Sequence, residues 1–153
     1  MEKSKTAGLT WALESNGGDR FVLNQLNQPG PKEIFAIYFS YWVYCPIDLS
    51  DLLNSGPDLP KMSQHCYVSD TAKLYLNGHL LKPAASTPAD YRTRQTYQDL
   101  PLKQGWNHFL IKVASDSYHN ADPGTLAVRL FSTNRSFEGQ LKTSVQGPAS
   151  SSK

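Results

Sequence analysis

The sequence predicts an all-β fold, a two-sheet antiparallel β-sandwich. Three observations carry this reading. Apolar and polar residues alternate with a period of two in separate segments, the pattern of strands with one face buried. The segments are divided by Pro, Gly, Asn and Asp clusters that suit turns. Helical periodicity is almost absent; the one helix-like stretch, 49–54, is long enough for only one or two turns.

The longest strand is 34–44, IFAIYFSYWVY, β-branched and aromatic and closed by Cys45-Pro46. Both alternating sets are apolar: Ile34, Ala36, Tyr38 and Trp42 on one, Phe35, Ile37, Phe39, Tyr41 and Val43 on the other. Such a strand is expected to be central, with something covering each face. Residues 66–77, CYVSDTAKLYLN, place Leu74 and Leu76 on one face and Lys73 and Tyr75 on the other. Asn77-Gly78 tolerates positive φ and predicts a hairpin into a short strand at 79–82. Gly105 marks a turn before a strand at 107–114. In the last strand Leu126, Val128 and Leu130 alternate with Ala127, Arg129 and Phe131. The expected core is Leu74, Leu76, Phe109, Ile111, Val113, Leu126, Val128 and Leu130, with Leu110 replacing Phe109 if that register slips by one.

The 153 residues make about one domain, enough to bury a core without metals. Residues 1–8 read as a flexible N-terminus, 9–138 as the sandwich, and 139–153 (GQLKTSVQGPASSSK) as a linker or tail with little to bury. Charged residues are 18% and the net charge is +2, which argues against a strongly basic nucleic-acid or membrane binder. No apolar run is long enough to span a bilayer as a helix. The first residues, MEKSKTAGLTWALE, lack the apolar centre of a signal peptide, so the chain either stays inside the cell or is one module of a longer exported protein.

Enzymatic motifs are missing. The four histidines, His65, His79, His108 and His119, show no zinc-site spacing. There is no Gly-x-Ser-x-Gly elbow, phosphate loop or dinucleotide fingerprint, and the expectation is a non-enzyme without cofactor. Cys45 and Cys66 could close a loop of about 20 residues as a disulfide or remain two separate buried thiols. Asn134-Arg135-Ser136 is a glycosylation sequon.

Two segments combine aromatic faces with hydrogen-bonding groups, the mix that binds sugars. One is 90–99, with Tyr91, Arg92, Arg94 and Tyr97; the other is 115–124, with Asp116, Tyr118, His119, Asn120 and Asp122. The ligand-binding candidates are Tyr91, Arg92, Tyr118 and Asn120, with Trp42 and Tyr44 next in line. The first segment also reads as a strand with two solvated Arg and two core Tyr, and the second as an ordinary polar hairpin loop. Asp116 and Asp122 carry oxygens suited to calcium, but their spacing matches no EF-hand and no metal is expected.

The order Trp11, aromatic long strand, SDTAKLYLNGHLL, LPLKQGWNHFLIKV and LAVRLF resembles the galactose-binding-like β-sandwich, or jelly-roll, modules found beside glycoside hydrolases. Such modules carry a Ser-Asp-Asp-x-x-Lys-Val-Trp-Leu-Asn-Gly hairpin, matched here by Ser69, Asp70, Thr71, Lys73, Leu74, Tyr75, Leu76, Asn77 and Gly78. They also carry a Leu-x-x-Gly-Trp-Asn-x-Leu-Leu-x-Lys-Val strand, matched by Leu102, Gly105, Trp106, Asn107, Leu110, Lys112 and Val113. Thr71 stands where the motif has its second Asp and Tyr75 where it has Trp, so no paired-Asp role carries over. The resemblance implies a non-catalytic carbohydrate-binding or accessory module of a secreted or periplasmic multidomain protein, with a glycan and a neighbouring catalytic domain as partners. The alternative is a structural or protein-interaction sandwich without a glycan. Trp106 is expected to pack against the end of the sandwich.

Overall fold

The structure, a computed structural model, describes residues 20–22, 34–51, 59–68, 71–89, 92–116 and 125–148. Among these residues ten strands and one short helix follow in order: β1 (Arg20–Val22), β2 (Ile34–Cys45), β3 (Met62–Val68), β4 (Thr71–Leu76), β5 (His79–Leu80), β6 (Ala85–Ala89), β7 (Arg92–Tyr97), β8 (Gly105–Asp116), β9 (Thr125–Ser132), α1 (Arg135–Glu138) and β10 (Lys142–Ser144). They form two five-stranded sheets, ordered β1-β9-β3-β7-β6 and β10-β2-β8-β4-β5. All the pairings are antiparallel. The pairs β1·β9, β2·β8, β3·β7 and β4·β5 are nested like one long folded ribbon, and alternate pairs fall in opposite sheets. This is the jelly-roll winding, and the expected two-sheet sandwich is the observed fold.

The core lies between the sheets. Val43 and Cys45 of β2, Leu74 and Leu76 of β4, and Phe109, Ile111 and Val113 of β8 meet Met62, Cys66 and Val68 of β3, Tyr97 of β7 and Leu126 of β9. Six of the eight expected core residues are fully buried; Val128 and Leu130 are half-buried against them. Phe109 points inward and Leu110 outward, because Phe109 pairs with Tyr41 and stacks on it at 4.9 Å. The sheets also share a polar bond inside the core. The Tyr41 hydroxyl of β2 donates to Gln64 Oε1 of β3 at 2.7 Å, and Gln64 Nε2 donates to Cys66 Sγ at 3.2 Å. Gln64 is fully buried yet both of its polar ends are satisfied.

Cys45 and Cys66 are free and buried, one in each sheet. The expected hairpin is present. Asn77 and Gly78 have φ of 50° and 83°, the positive values a two-residue turn of this hand requires. Gly105, φ 97°, makes the bend that starts β8. Of the helix-like stretch 49–54, residues 49–51 form no helix, and 52–54 lie outside the described residues.

The segment read as a tail from residue 139 onward supplies β10, which pairs Lys142–Ser144 with Trp42–Tyr44 at the edge of the second sheet. Three residues are too few to show a period. The anchors are Leu141, packed on the core, and α1, whose N-cap Asn134 accepts from Phe137 N at 3.2 Å while Phe137 is buried. The sequon asparagine thus caps this helix through its Oδ1. At the opposite edge of the first sheet, β6 carries Pro88, which has no N–H to offer a further strand.

One side chain ties the second sheet to its loops. Asn107 is fully buried. Its Oδ1 accepts from Asn77 Nδ2 and from Lys103 N, each at 2.9 Å. Its Nδ2 donates to Lys103 O at 2.8 Å and Gly105 O at 3.1 Å, and reaches Val43 O at 3.5 Å. Asn77 Oδ1 in turn accepts from His108 N at 2.9 Å. The Asn-Gly hairpin and the Gly-Trp-Asn strand are therefore bonded to each other. Replacing Asn107 with Ala strands several buried polar groups, and we expect a loss of about 2–4 kcal/mol in urea unfolding with an unchanged m value.

Candidate functional site

The described chemistry concentrates on the outer face of the second sheet. Strand β2 has a neighbour on each side, but only one of its faces meets the other sheet. The expectation that both faces are covered is corrected here: Tyr38 is 43% exposed and Ala36 is also exposed. In a two-layer sandwich a strand that is apolar on both faces must turn one of them outward.

The register lays this face out in rows. Lys142, Tyr44 and Trp106 form one row and Ser144, Trp42 and His108 the next. Ser40, Leu110, Tyr75 and Leu80 follow, and then Tyr38, Lys112 and Lys73. From Tyr44 to Tyr38 the rows run about 20 Å at the usual strand rise, the length of a short oligosaccharide. The rings brace one another. Trp42 stacks on His108 with centroids 4.5 Å apart, and Ser40 Oγ holds His108 Nε2 at 2.7 Å. Trp106 meets Tyr44 edge to face at 5.6 Å. Lys112 Nζ lies 5.6 Å from the centre of the Tyr38 ring and Lys142 Nζ 5.7 Å from that of Tyr44, a cation over each π face. The C-terminal segment touches this face too: a Cβ built on Gly147 would stand 3.3 Å from Trp42 Cε2 and Nε1, so the backbone there rests on the indole.

Trp106, expected to pack against the end of the sandwich, is the second residue of β8 and is half-buried on this outer face against Tyr44. Tyr91, Tyr118 and Asn120 lie outside the described residues, as do His119 and Asp122. The backbones of Arg92 and Asp116 belong to β7 and β8, and their side chains are outside the described set. Of the 90–99 segment, Arg92–Tyr97 form a strand with Tyr97 in the core, as the structural alternative had it, but Arg94 is half-buried rather than solvated, and Tyr91 and the Arg92 side chain lie outside the described residues. The aromatic face was within reach of the sequence. Tyr38, Trp42 and Tyr44 share one parity in a strand whose other parity fills the core.

Other chemistry is sparse among the described residues. A depression of about 190 Å³ beside the hairpin, lined by Asn77, His79, Leu81, Pro101 and Lys103, is smaller than a typical ligand pocket. No group of three or more His, Cys, Asp or Glu is placed to hold a metal ion. No described helix is long and apolar enough to cross a membrane. The thiols are inert by position. Burial pushes Cys66 up to about 11, and burial raises Cys45, whose Sγ donates to Ile47 O at 3.1 Å. These folded values exceed the unfolded one, so their contribution to stability is intact below about pH 9 and is lost as the pH rises through the folded value. At pH 8 we expect neither thiol to react with a maleimide until the protein unfolds, so that labelling kinetics follow global opening.

Fold and face together define a jelly-roll sandwich with an aromatic, half-exposed outer face on its second sheet. No family model, no curated protein and no solved structure matches the chain.

Proposed function

We propose that this chain is a non-catalytic carbohydrate-binding or accessory module, acting beside a catalytic domain in a longer secreted or periplasmic protein. The single observation that carries the reading is the row of aromatic rings on the outer face of the second sheet, from Tyr38 through Trp42 and Tyr44 to Trp106. Sugars present C–H faces that stack on such rings, while their hydroxyls can be met by the ammonium groups of Lys73, Lys112 and Lys142 in the same rows. The rings are pre-set by stacking and edge contacts, so little side-chain entropy is lost on binding. The resemblance of the Asn-Gly hairpin and Gly-Trp-Asn strand to galactose-binding-like modules supports the same reading.

A shallow platform buries little area and must desolvate hydroxyls, so affinity should fall between millimolar and tens of micromolar, roughly −4 to −7 kcal/mol. The test is affinity electrophoresis against a panel of plant and microbial polysaccharides. Tyr38→Ala and Trp106→Ala should each weaken binding at least tenfold and leave the Tm within a few degrees. Tyr91→Ala and Tyr118→Ala run beside them; loss of binding in that pair alone would move the site to the loops. In the same samples, reducing ends should not be released, and their release would make the chain an enzyme.

One observation favours the alternative of a structural or protein-interaction sandwich. Gly147 already rests on Trp42, so part of the platform is occupied by the chain itself. Absence of binding to every polysaccharide by the folded protein would decide for it.

A further inference from the structure

The outer face of the first sheet has a different character. The register sets His65 of β3 between Arg129 of β9 and Thr96 of β7. The next row sets Tyr67 between Ala127 and Arg94, and the row on the other side pairs Ser63 with Phe131. Two guanidinium-bearing residues thus flank β3, two strand spacings apart and one row out of step. At ordinary sheet dimensions their backbones are about 12 Å apart. The strands that build this face are MSQHCYV, ASTPA, RTRQTY and TLAVRLFS, and none contains a carboxylate.

Among the described residues neither Arg94 nor Arg129 is in an ion pair. Arg129 is exposed and lies over the Phe131 ring, 5.9 Å from its centre. Arg94 is half-buried, and its Nε is buried without a hydrogen-bond partner among the described residues. A buried guanidinium N–H left unpaired is costly, and a bidentate oxyanion is the partner its fork fits best. His65 lies between them, and its imidazole is held below the usual histidine range by burial first and then by Arg94 and Arg129.

We propose that this face is a second binding surface, which holds the oxyanions of an acidic glycan, uronate carboxylates or sulfate esters, between Arg94 and Arg129. The requirement for an anion stands on this face alone; the choice of a glycan as its bearer rests on the function proposed above. A single-stranded nucleic acid fits less well. Base stacking needs open parallel ring faces, and here His65 meets Tyr67 at 90° and Phe131 at 62°, while Arg129 covers Phe131. The rings serve as a floor for the arginines.

The full chain is tested by affinity electrophoresis at low salt against polygalacturonate, dextran sulfate and neutral dextran, with a dT20 oligonucleotide as competitor. Arg129→Gln is the primary variant, because an exposed side chain can be changed without loss of folding, and Arg94→Gln the second. We expect at least one acidic polymer to retard the wild type. Arg129→Gln should weaken that effect at least tenfold, whereas Tyr38→Ala and Trp106→Ala should leave it intact. In two-dimensional NMR the His65 imidazole should titrate at higher pH when the acidic polymer is bound, since the anion offsets the two arginines. The proposal is overturned if neither acidic polymer binds, if Arg129→Gln binds as wild type, or if dT20 displaces the polymers at equal or lower concentration. Loss of acidic-polymer binding only in the platform variants would also overturn it, by assigning those polymers to the second sheet. Failure of the platform reading shows separately, as neutral polysaccharides ignored while acidic ones still bind.

Discussion

The buried amide of Asn107 is the constraint on which the second sheet depends. A sandwich needs its long strands held in register at the ends, where ladder bonds run out and loops begin. Asn107 does this by taking the place of missing backbone partners: it accepts from the Lys103 amide and the Asn77 side chain, and donates back to the loop carbonyls before β8. Asn77 extends the β4·β8 ladder one step past Leu76·Phe109, with its backbone N–H on His108 O at 2.8 Å and its side chain on His108 N. The alternation of β8, with Phe109 inward and His108 outward, is pinned at this point. A slip of one residue would reverse it and send Trp106 and His108 toward the core.

This explains what was legible in the sequence. Alternation in 71–76, 105–116 and 125–132 is a direct record of which side faces the other sheet, so the core could be named residue by residue. Asn77-Gly78 could be read because only a few residues accept positive φ. The role of Asn107 was hidden, since a buried amide and a surface amide look the same in a sequence and differ only in what surrounds them. Strand β10 was hidden for another reason: its place is set by the burial of Leu141 and Phe137 rather than by any pattern of its own. The outer aromatic face was visible in the parity of β2 but was assigned a covering layer that a two-layer fold does not have. The loop candidates Tyr91, Tyr118 and Asn120 rested on composition alone, which says what a segment contains and nothing of where it points.

The two sheets share one core yet present unlike exteriors. The second sheet turns out tyrosine, tryptophan and lysine; the first turns out arginine, histidine and threonine around β3. Both arise from the same period of two, in which inward positions are committed to packing and outward positions are free for chemistry. Most of the described acidic side chains stand apart from both faces, Asp48, Asp51 and Asp99 in loops and Glu138 in α1. Among the described side chains, the charged ones on the two faces are lysines and arginines, in a chain whose net charge is +2.

The sheet margins have a consequence for how the molecule behaves at high concentration. An edge strand with unpaired amides is a template on which a second molecule can grow. Here the four outermost strands, as described, are β1 with three residues, β5 with two, β10 with three and β6 with five. The longest of them, β6, is interrupted by Pro88. Lengthwise annealing of one sheet onto another is thereby denied a continuous run of donors. Along the described edges, a second molecule meets short runs of donors, and the side chains of the two broad faces are what it can contact over a wider area.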